Sequence, residues 1–335
     1  MLQICGISFA ILLAASVEPF NTAAIPPELV RLFSLEKYYY TGGQYRETTF
    51  HYRLFKPNIS KQTRRHPLIV WLHGAGATEL NEKDHVGQLK HLLLIFDEPE
   101  RPDKYPFFLL AMQMKVNHWF IQNGLPQDGK GDEQITVLIE ILDDIMQKHP
   151  IDPNRIYLTG VSAGGSGCWE LALRYPDRFA AVAPLASEFT DTSRVRQFYG
   201  IPIWVFHSNR DQKPTPESAR RMVAAINKAG GNAHFTEIES TLHDCWIAAF
   251  QKYRLLDWLL SQSRGLSSGW PPGYVPWTLN EWAKNSFWAL APLALLTLIV
   301  TAAYKEIRRQ NTKRQVLQHG KLDSTSTSID FSDSK

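Results

Sequence analysis

The chain has 335 residues, 44% of them hydrophobic, and a formal net charge of only +3 at pH 7. That length suffices for one substantial core or two small ones. The small positive excess and the lack of any nucleic-acid-binding motif argue against DNA or RNA as a partner. The three cysteines show no CxxC spacing, and no HExxH, P-loop or GxGxxG motif occurs. We therefore expect neither a metal site nor a bound cofactor.

The N-terminal segment has the pattern of a secretory signal. Residues 4–17 form an uncharged apolar run, and small residues suited to cleavage follow at positions 22–24. We therefore predict a signal sequence over residues 1–24. Because no Lys or Arg precedes the apolar run, an apolar strand or an uncleaved anchor stays open as an alternative.

Between residues 36 and 262, short β-type runs alternate with helical patterns, which predicts a single domain. Four of the β-type runs are continuous apolar stretches, as in parallel strands that are covered on both faces. Two early strands followed by β-α repeats indicate an α/β fold with a mostly parallel, doubly wound sheet. The predicted strands are residues 37–40, 48–55, 68–72, 107–111, 156–159, 180–183, 203–206 and 233–238. The predicted helices are residues 133–148, 164–174, 216–229 and 246–261.

The composition changes after residue 262. Residues 263–285 are rich in Gly, Pro and Trp, which is typical of a linker. Residues 286–304 then run for 19 positions without a charge. As a helix they would be about 28 Å long, against a bilayer core of about 30 Å. We predict a transmembrane helix there, with a buried core helix as the alternative.

Basic residues follow this apolar segment immediately. Five Lys or Arg side chains and one Glu lie within residues 305–314. The positive-inside rule then assigns residues 305–335 to the cytoplasm and the domain to the extracytoplasmic side of the cell envelope. The end of this tail is rich in Ser, Thr and Asp, and we expect it to be disordered.

The strongest local motif is Gly-Val-Ser-Ala-Gly at residues 160–164, directly after a predicted strand and directly before a predicted helix. A serine hydroxyl is a poor nucleophile unless it is exposed and aligned with a base. A sharp strand-to-helix turn supplies the exposure, and flanking glycines permit the tight backbone. The motif predicts Ser162 as a nucleophile, although a glycine-rich start of a helix without chemistry would look similar.

A second motif, His-Gly-Ala-Gly at residues 73–76, ends the predicted strand 68–72. Acyl transfer develops an oxyanion, which needs two preorganised N–H donors. One donor is expected from Ala163, the residue after the nucleophile, at the positive end of the following helix. The other is expected from Ala75 or Gly76. Taken alone, this motif could also be an ordinary turn at the end of a strand.

The general base is found by elimination among the four histidines that follow Ser162. Sites built on such a turn place the base after the nucleophile. His319 lies beyond the apolar segment, His234 sits inside a predicted strand, and His207 precedes the best acid candidate. His243, in the loop between the last strand and the last helix, is the predicted base.

The predicted acid is Asp211, at the tip of the penultimate strand. Its role would be to hold the imidazole in one tautomer and to stabilise the imidazolium. Asp191 and Glu188, which follow the strand 180–183, are the alternatives. Asp244 is the neighbour of the base in sequence, which usually directs its side chain away.

Three segments together resemble the α/β-hydrolase superfamily. They are the motif at 73–76, the stretch DPNRIYLTGVSAGGSGCWELALRYPDRFAAVAPLA at 152–186, and the regions around Asp211 and His243. They are similar to bacterial secreted esterases and "predicted peptidases" related to prolyl oligopeptidase catalytic domains, polyhydroxybutyrate depolymerases and feruloyl esterases. The resemblance covers residues 36–262. It implies a serine nucleophile, acid and base at Ser162, Asp211 and His243, and an oxyanion hole at Ala163 and the 73–76 loop.

The resemblance implies a serine hydrolase that cleaves small or polymer-derived carboxylic esters, and the predicted segment 286–304 with its basic flank would anchor it in the membrane on the extracytoplasmic side. A serine peptidase using the same residues and a non-catalytic binding protein are the alternatives. Because the pattern begins near residue 37, too little chain precedes it for the N-terminal domain of oligopeptidases, which favours esters. Trp119 and Phe120, in a loop expected above the catalytic face, are candidate pocket walls or plain packing. The oligomeric state stays open.

Two cysteines fall near the predicted site in sequence. Cys168 is six residues past the nucleophile, and Cys245 is two residues past the base. A disulfide between them would fix the loop of His243 in an oxidising compartment. Two buried free thiols are the alternative.

Overall fold

The computed structural model describes residues 25–58, 64–75, 77, 86–96, 106–114, 130–212 and 214–265. All of them belong to one compact unit, Met1–Val275. The predicted signal sequence, the linker from residue 266 onward, the predicted transmembrane helix and the tail lie outside these residues. Among the helices of the described part, none has the length and apolar character needed to cross a membrane.

Each of the eight predicted strands is present. The strands are β1 Phe33–Tyr40, β2 Thr48–Phe55, β3 His66–Leu72, β4 Phe108–Met112, β5 Ile151–Val161, β6 Ala181–Leu185, β7 Pro202–Ser208 and β8 Asn232–Ile238. Within the described residues they form one sheet in the order β1-β2-β4-β3-β5-β6-β7-β8. Strand β2 pairs antiparallel with β1 and β4, whereas all pairs from β4 to β8 are parallel. The prediction of a mostly parallel sheet is therefore confirmed.

The apolar runs form the centre of the sheet because both of their faces are covered. All residues of β3, β4 and β6 are buried, whereas β1, at one edge, alternates between partly buried and exposed positions. Successive side chains of a strand point to opposite faces. Leu68 and Val70 accordingly pack into one hydrophobic cluster, and Ile69 and Trp71 pack into another on the opposite face.

Helices cover the two faces in separate sets. The helices are α1 Pro27–Arg31, α2 Lys130–Lys148, α3 Ala163–Arg174, α4 Glu217–Lys228, α5 Cys245–Gln251 and α6 Leu255–Ser261. The first cluster takes residues from α2, α3 and α4, and the second takes residues from α1, α5 and α6. Burying one large aliphatic or aromatic side chain contributes about 1.5–3 kcal/mol, so both layers stabilise the sheet strongly.

The prediction of a single last helix over residues 246–261 is wrong. The structure has two helices there, α5 and α6, and Arg254 between them adopts a left-handed conformation with φ 54° and ψ 45°. A left-handed residue with a side chain cannot continue a right-handed helix. The apolar pattern runs through this break, because both short helices turn their apolar faces to the same cluster.

The hypothesis of a disulfide between the two cysteines is also wrong. Cys168 and Cys245 are both free and buried. Cys168 belongs to the cluster on one face of the sheet and Cys245 to the cluster on the other. Two residues that each lie close in sequence to the candidate site are therefore separated by the sheet itself.

The glycines of the 160–164 motif let this turn lie against the backbone of β3. A Cβ atom added at Gly164 would lie 2.6 Å from the carbonyl oxygen of His73, and one added at Gly160 would lie 2.6 Å from that of Leu72. Carbonyl groups of a central strand cannot move aside easily. Glycine is therefore required at both positions by close backbone approach.

We predict that Gly164→Ala lowers the free energy of unfolding by about 1–3 kcal/mol, because the new methyl group overpacks the turn. Helix propensity alone would change the stability in the opposite direction, by up to about 1 kcal/mol. Gly74→Ala is the matched control, since its Cβ would meet nothing nearer than 3.4 Å. Chemical denaturation of the two variants checks the prediction, and equal or increased stability for Gly164→Ala would contradict it.

Candidate active site

The candidate catalytic side chains all follow the carboxyl ends of parallel strands. Ser162 comes directly after β5, Asp211 follows β7, and His243 lies between β8 and α5. The carboxyl ends of parallel strands meet at one edge of the sheet, where α/β proteins bind their ligands. The topology therefore directs these three sequence-distant residues to the same edge.

Ser162 stands on a strained turn between β5 and α3. Its backbone has φ 54° and ψ −119°, a region that residues with a side chain rarely adopt. The amide of Ser162 donates to the carbonyl of Leu185 at the end of β6 (2.8 Å), and its own carbonyl accepts from Ser166 (3.0 Å). The side chain is partly exposed. The predicted strand–turn–helix arrangement at this serine is present.

The loop at residues 73–75 passes directly beside this turn. A Cβ atom on Gly74 would lie 3.5 Å from the Cβ of Ser162. Ala75 is exposed next to it, and Ala163 is the first residue of α3. The first amides of a helix lack partners within the helix and lie at its positive end. Gly76, the other predicted donor, lies outside the described residues.

His73 fixes the backbone of this loop. Its Nε2 accepts the amide of Met114 (3.2 Å), so Nδ1 carries the proton and donates to the carbonyl of Gly74 (2.8 Å). The tautomer follows from these partners. Burial lowers the pKa of His73 to about 4, which keeps the ring neutral. In a trans peptide the C=O and the next N–H point in opposite directions, so the amide of Ala75 points away from His73.

Asp211 and His243 form a close pair. Oδ2 of Asp211 lies 2.6 Å from Nδ1 of His243, and the carboxylate side chain is 3% exposed against 29% for the imidazole. A carboxylate oxygen only accepts, so Nδ1 carries the proton and Nε2 is left as an acceptor. A buried acid beside a solvent-reachable imidazole of this tautomer can accept a proton at Nε2 and stabilise the resulting charge.

Hydrogen bonds connect the turn of Ser162 to the element that bears His243. Ser162 bonds to the end of β6 as described, and the next residue there, Ala186, donates to the carbonyl of Phe206 in β7 (2.9 Å). The thiol of Cys245, two residues past His243, donates to the same carbonyl (3.3 Å). Ala186 is itself strained, with φ 47°. Strained residues with side chains cluster at functional sites.

A sequence profile of the phospholipase/carboxylesterase family matches residues 57–255, more than half of the chain. The chain belongs to this family. It is also 28% identical over 138 residues to poly(3-hydroxyalkanoate) depolymerase C of Paucimonas lemoignei. That alignment covers 40% of this chain and 31% of the depolymerase, so the chain matches about a third of the length of this relative.

Solved structures agree with this family. A thermostable esterase has a TM-score of 0.61 at 28% identity, over 71% of this chain and 64% of that one. A ferulic acid esterase gives 0.52 at 14% identity, over 68% and 97%. A fluorophosphonate-binding serine hydrolase of Staphylococcus aureus gives 0.50 at 14% identity, over 68% and 98%. The last two show the fold alone, and together with the sheet they confirm the α/β-hydrolase fold.

Two of the other carboxylates considered in the sequence have partners of their own. Asp191, one of the two alternative acids, is partly exposed and accepts the amide and hydroxyl of Ser193 (2.9 and 2.5 Å), and these bonds lower the pKa of Asp191. Asp244 precedes α5 and accepts the hydroxyl of Ser240 (3.1 Å). The carboxylate that the structure brings within hydrogen-bonding distance of His243 Nδ1 is that of Asp211.

Sequence reasoning assigned no part in the site to two side chains around His243. The ring of Trp246 meets that of His243 edge-on, with centroids 5.3 Å apart, and the ring of His91 lies 4.8 Å beyond it. Burial lowers the pKa of His91 to about 4. The imidazole of His243 thus has aromatic rings packed on one side. No motif indicates this packing, because His91 is distant in sequence.

Other predicted features of the site are outside the described residues. Trp119 and Phe120, the candidate pocket walls, both fall in the segment 115–129. In the part of the chain that the structure describes, no cluster of three or more His, Cys, Asp or Glu side chains is arranged to hold a metal ion.

The neutral state of His73 predicts a pH-dependent stability. An unfolded histidine has a pKa of about 6.5, whereas the folded value is about 4. Between these pH values the unfolded chain binds a proton that the folded chain does not, so stability falls as the pH falls through this window. From pH 7 to pH 5 this one group removes about 2 kcal/mol.

His73→Asn, which keeps a side-chain N–H for the Gly74 carbonyl, should flatten the pH dependence of unfolding by about this amount. His234→Asn is the control, because His234 is only half-buried and should contribute less. Urea denaturation at pH 5 and pH 7 measures both. Parallel pH profiles for the wild type and His73→Asn would show that His73 is protonated in the folded state.

Proposed function

We propose that this protein is a serine hydrolase that cleaves carboxylic esters through an acyl-serine intermediate. The observation that carries the proposal is the 2.6 Å contact between Asp211 Oδ2 and His243 Nδ1, at the sheet edge that bears the strained turn of Ser162. Membership of the phospholipase/carboxylesterase family supports it. A partly exposed serine, a solvent-accessible imidazole and a buried carboxylate are the three groups that acyl transfer of this kind requires.

The chemistry assigns one task to each residue. Ser162 Oγ attacks the carbonyl carbon of the ester while Nε2 of His243 takes the hydroxyl proton. Asp211 holds the imidazole at Nδ1 and stabilises its positive charge. The imidazolium gives the proton to the leaving alcohol, and an acyl-serine forms. His243 then takes a proton from a water molecule, which attacks the acyl carbon. As the bond to Ser162 Oγ breaks, the imidazolium returns that proton to Oγ and the carboxylic acid leaves.

Backbone amides would stabilise the oxyanion in both steps. The amide of Ala163 lies at the positive end of α3, and the second donor is Ala75 or Gly76. The hydrogen bond from His73 to the Gly74 carbonyl favours Ala75, because it turns the Ala75 amide away from the buried side. Removing one such donor from a serine hydrolase typically costs about 10²–10³ in rate, so the orientation of this peptide matters.

The substrate class is proposed from the family and its relatives. The family is one of phospholipases and carboxylesterases; the 28% identical solved structure is an esterase, and the matched curated relative is a polyester depolymerase. A small ester or an ester released from a polymer is the substrate class these relatives favour. An ester also releases its alcohol more readily than an amide releases its amine, so it needs less positioning.

Ser162→Ala should abolish both labelling by a fluorophosphonate probe and turnover of p-nitrophenyl acetate, while the melting temperature stays near that of the wild type. Removing one hydroxyl at a partly exposed turn changes little packing. Ser166→Ala is the matched control, because its hydroxyl is buried one turn later and accepts the Glu188 amide. It should keep the label.

Three outcomes would contradict the proposal. Labelling of Ser162→Ala at the wild-type rate would exclude this serine as the nucleophile. A folded wild type that neither reacts with the probe nor hydrolyses any acyl ester would exclude a serine hydrolase. A higher kcat/KM for a linear peptide than for p-nitrophenyl acetate would replace the ester by a peptide substrate.

We further propose that the protein is anchored in the cell envelope by residues 286–304, with a signal sequence over residues 1–24. The support is the uncharged apolar segment and the basic cluster that follows it. The catalytic domain would then lie on the extracytoplasmic side and residues 305–335 in the cytoplasm. Such an anchor would hold the hydrolase where extracellular esters reach it.

A protease added to intact cells should digest the catalytic domain or the linker and leave a C-terminal epitope tag protected with the membrane. Permeabilised cells are the control, in which the tag should be lost as well. Loss of the tag from intact cells would reverse the orientation. Recovery of the full chain in a salt-washed soluble fraction would exclude the anchor.

A further inference from the structure

His207 is a buried histidine that the proposed mechanism does not use. It lies near the end of β7, and its side chain is 0% exposed. Nε2 of His207 lies 2.9 Å from the carbonyl oxygen of Pro214. A carbonyl only accepts, so Nε2 must carry the proton and Nδ1 must be bare. Within the described residues this Nδ1 is buried without a hydrogen-bonding partner. An unprotonated Nδ1 beside a protonated Nε2 is the neutral form of the ring.

The same N–H group of His207 lies beside the proposed acid. Nε2 is 3.5 Å from Oδ2 of Asp211, the oxygen that also contacts Nδ1 of His243. Two imidazoles therefore approach one carboxylate oxygen, one fully buried and one reachable by solvent. At 3.5 Å the buried contact is too long for a strong hydrogen bond. Charge–dipole attraction is nevertheless stronger in such buried surroundings than in water.

His207 also closes the backbone loop that carries Asp211. Its bond to the Pro214 carbonyl joins the two ends of the segment 208–214. Inside this segment the Asp211 amide donates to the Ser208 carbonyl (3.2 Å), and the Asn209 amide donates to Ile238 of β8 (2.8 Å). Three hydrogen bonds thus fix the loop of Asp211. They join it to Ser208 at the end of β7, to Ile238 of β8 and, through the Pro214 carbonyl, to His207.

The charge of His207 matters as much as its position. Burial lowers the pKa of His207, and His243 and Arg220 lower it further, whereas the Pro214 bond and Asp211 raise it. If His207 were protonated, its positive charge would lie beside Asp211 and would oppose protonation of His243. A neutral ring offers an N–H dipole to the carboxylate without that competition.

We propose that His207 is a positioning residue that holds Asp211 Oδ2 against Nδ1 of His243. It acts through Asp211 and does not touch the substrate. The inference rests on the proposed function, since it assigns Asp211 and His243 their acid and base roles. It also explains why the buried histidine donates to a carbonyl in the loop of the acid rather than to solvent.

The test compares variants with and without a side-chain N–H group at this position. His207→Met removes the donor at a similar side-chain length and should lower kcat for p-nitrophenyl acetate by about 10- to 100-fold, with KM nearly unchanged. His207→Gln keeps an N–H group and should recover a large part of that loss. His234→Met, on the neighbouring strand β8, is the matched control and should keep the wild-type kcat.

A double-mutant cycle separates positioning from general destabilisation. Asp211→Asn alone should reduce kcat by about 10⁴ through the wrong imidazole tautomer. In that background His207→Met should cost less than about 3-fold more, because no carboxylate is left to position. An equal loss from His207→Met in both backgrounds, or no recovery with His207→Gln, would overturn the inference.

A spectroscopic measurement needs no variant that has to fold. In the full wild-type chain in detergent, ¹⁵N histidine spectra at pH 8 should show a buried imidazole that is neutral and carries its proton on Nε2. A proton on Nδ1, or a protonated ring at pH 8, would overturn the inference. A folded wild type without hydrolase activity would overturn both the proposed function and this inference. An active wild type in which His207→Met lowers kcat by the same factor with and without Asp211→Asn would overturn this inference alone.

Discussion

The site depends on the left-handed backbone of Ser162. A residue with a side chain in such a region costs about 1–3 kcal/mol, and neighbouring contacts must hold it there. Gly160 and Gly164 allow the turn to press on the backbone at the end of β3, and the Ser162 amide is bonded to Leu185 of β6. The strain is therefore fixed by two central strands, and those strands are buried on both faces.

Three histidines in different environments contribute to the candidate site. His73 and His207 are fully buried, burial lowers the pKa of each, and each donates one N–H to a backbone carbonyl. They act as neutral, rigid dipoles. His243 is partly exposed and pairs with a carboxylate, so it is the one of these three suited to gain and lose a proton during turnover. The two buried histidines thus have structural roles, whereas the partly exposed His243 is the one suited to proton transfer.

The sequence predicts the fold and the candidate pair well because both depend on local patterns. Apolar runs identify the buried strands, and the order of motifs along those strands brings Asp211 to His243. The break at Arg254 could not be predicted, since the apolar pattern continues across it. Nor could the positions of Cys168 and Cys245 on opposite faces, because nearness to a site in sequence does not reveal on which side of a sheet a helix packs. The contact of His73 with the Met114 amide joins separate elements, and the contact of His207 with the Pro214 carbonyl depends on how the chain turns after β7; no motif specifies either one.

The two cysteines also bear on the choice of nucleophile. Cysteine is the stronger nucleophile when its thiol is ionised and accessible, and both thiols lie near catalytic elements. Burial, however, raises the pKa of Cys168 and of Cys245 well above the ordinary thiol range, and Asp211 raises that of Cys245 further. Cys245 instead donates to the carbonyl of Phe206. Thiolate chemistry is therefore suppressed at both positions by the packing that supports the site, whereas the hydroxyl of Ser162 stands partly exposed on a turn beside a loop of candidate oxyanion donors. The physical contrast between two deeply buried thiols and one strained, accessible hydroxyl favours the serine.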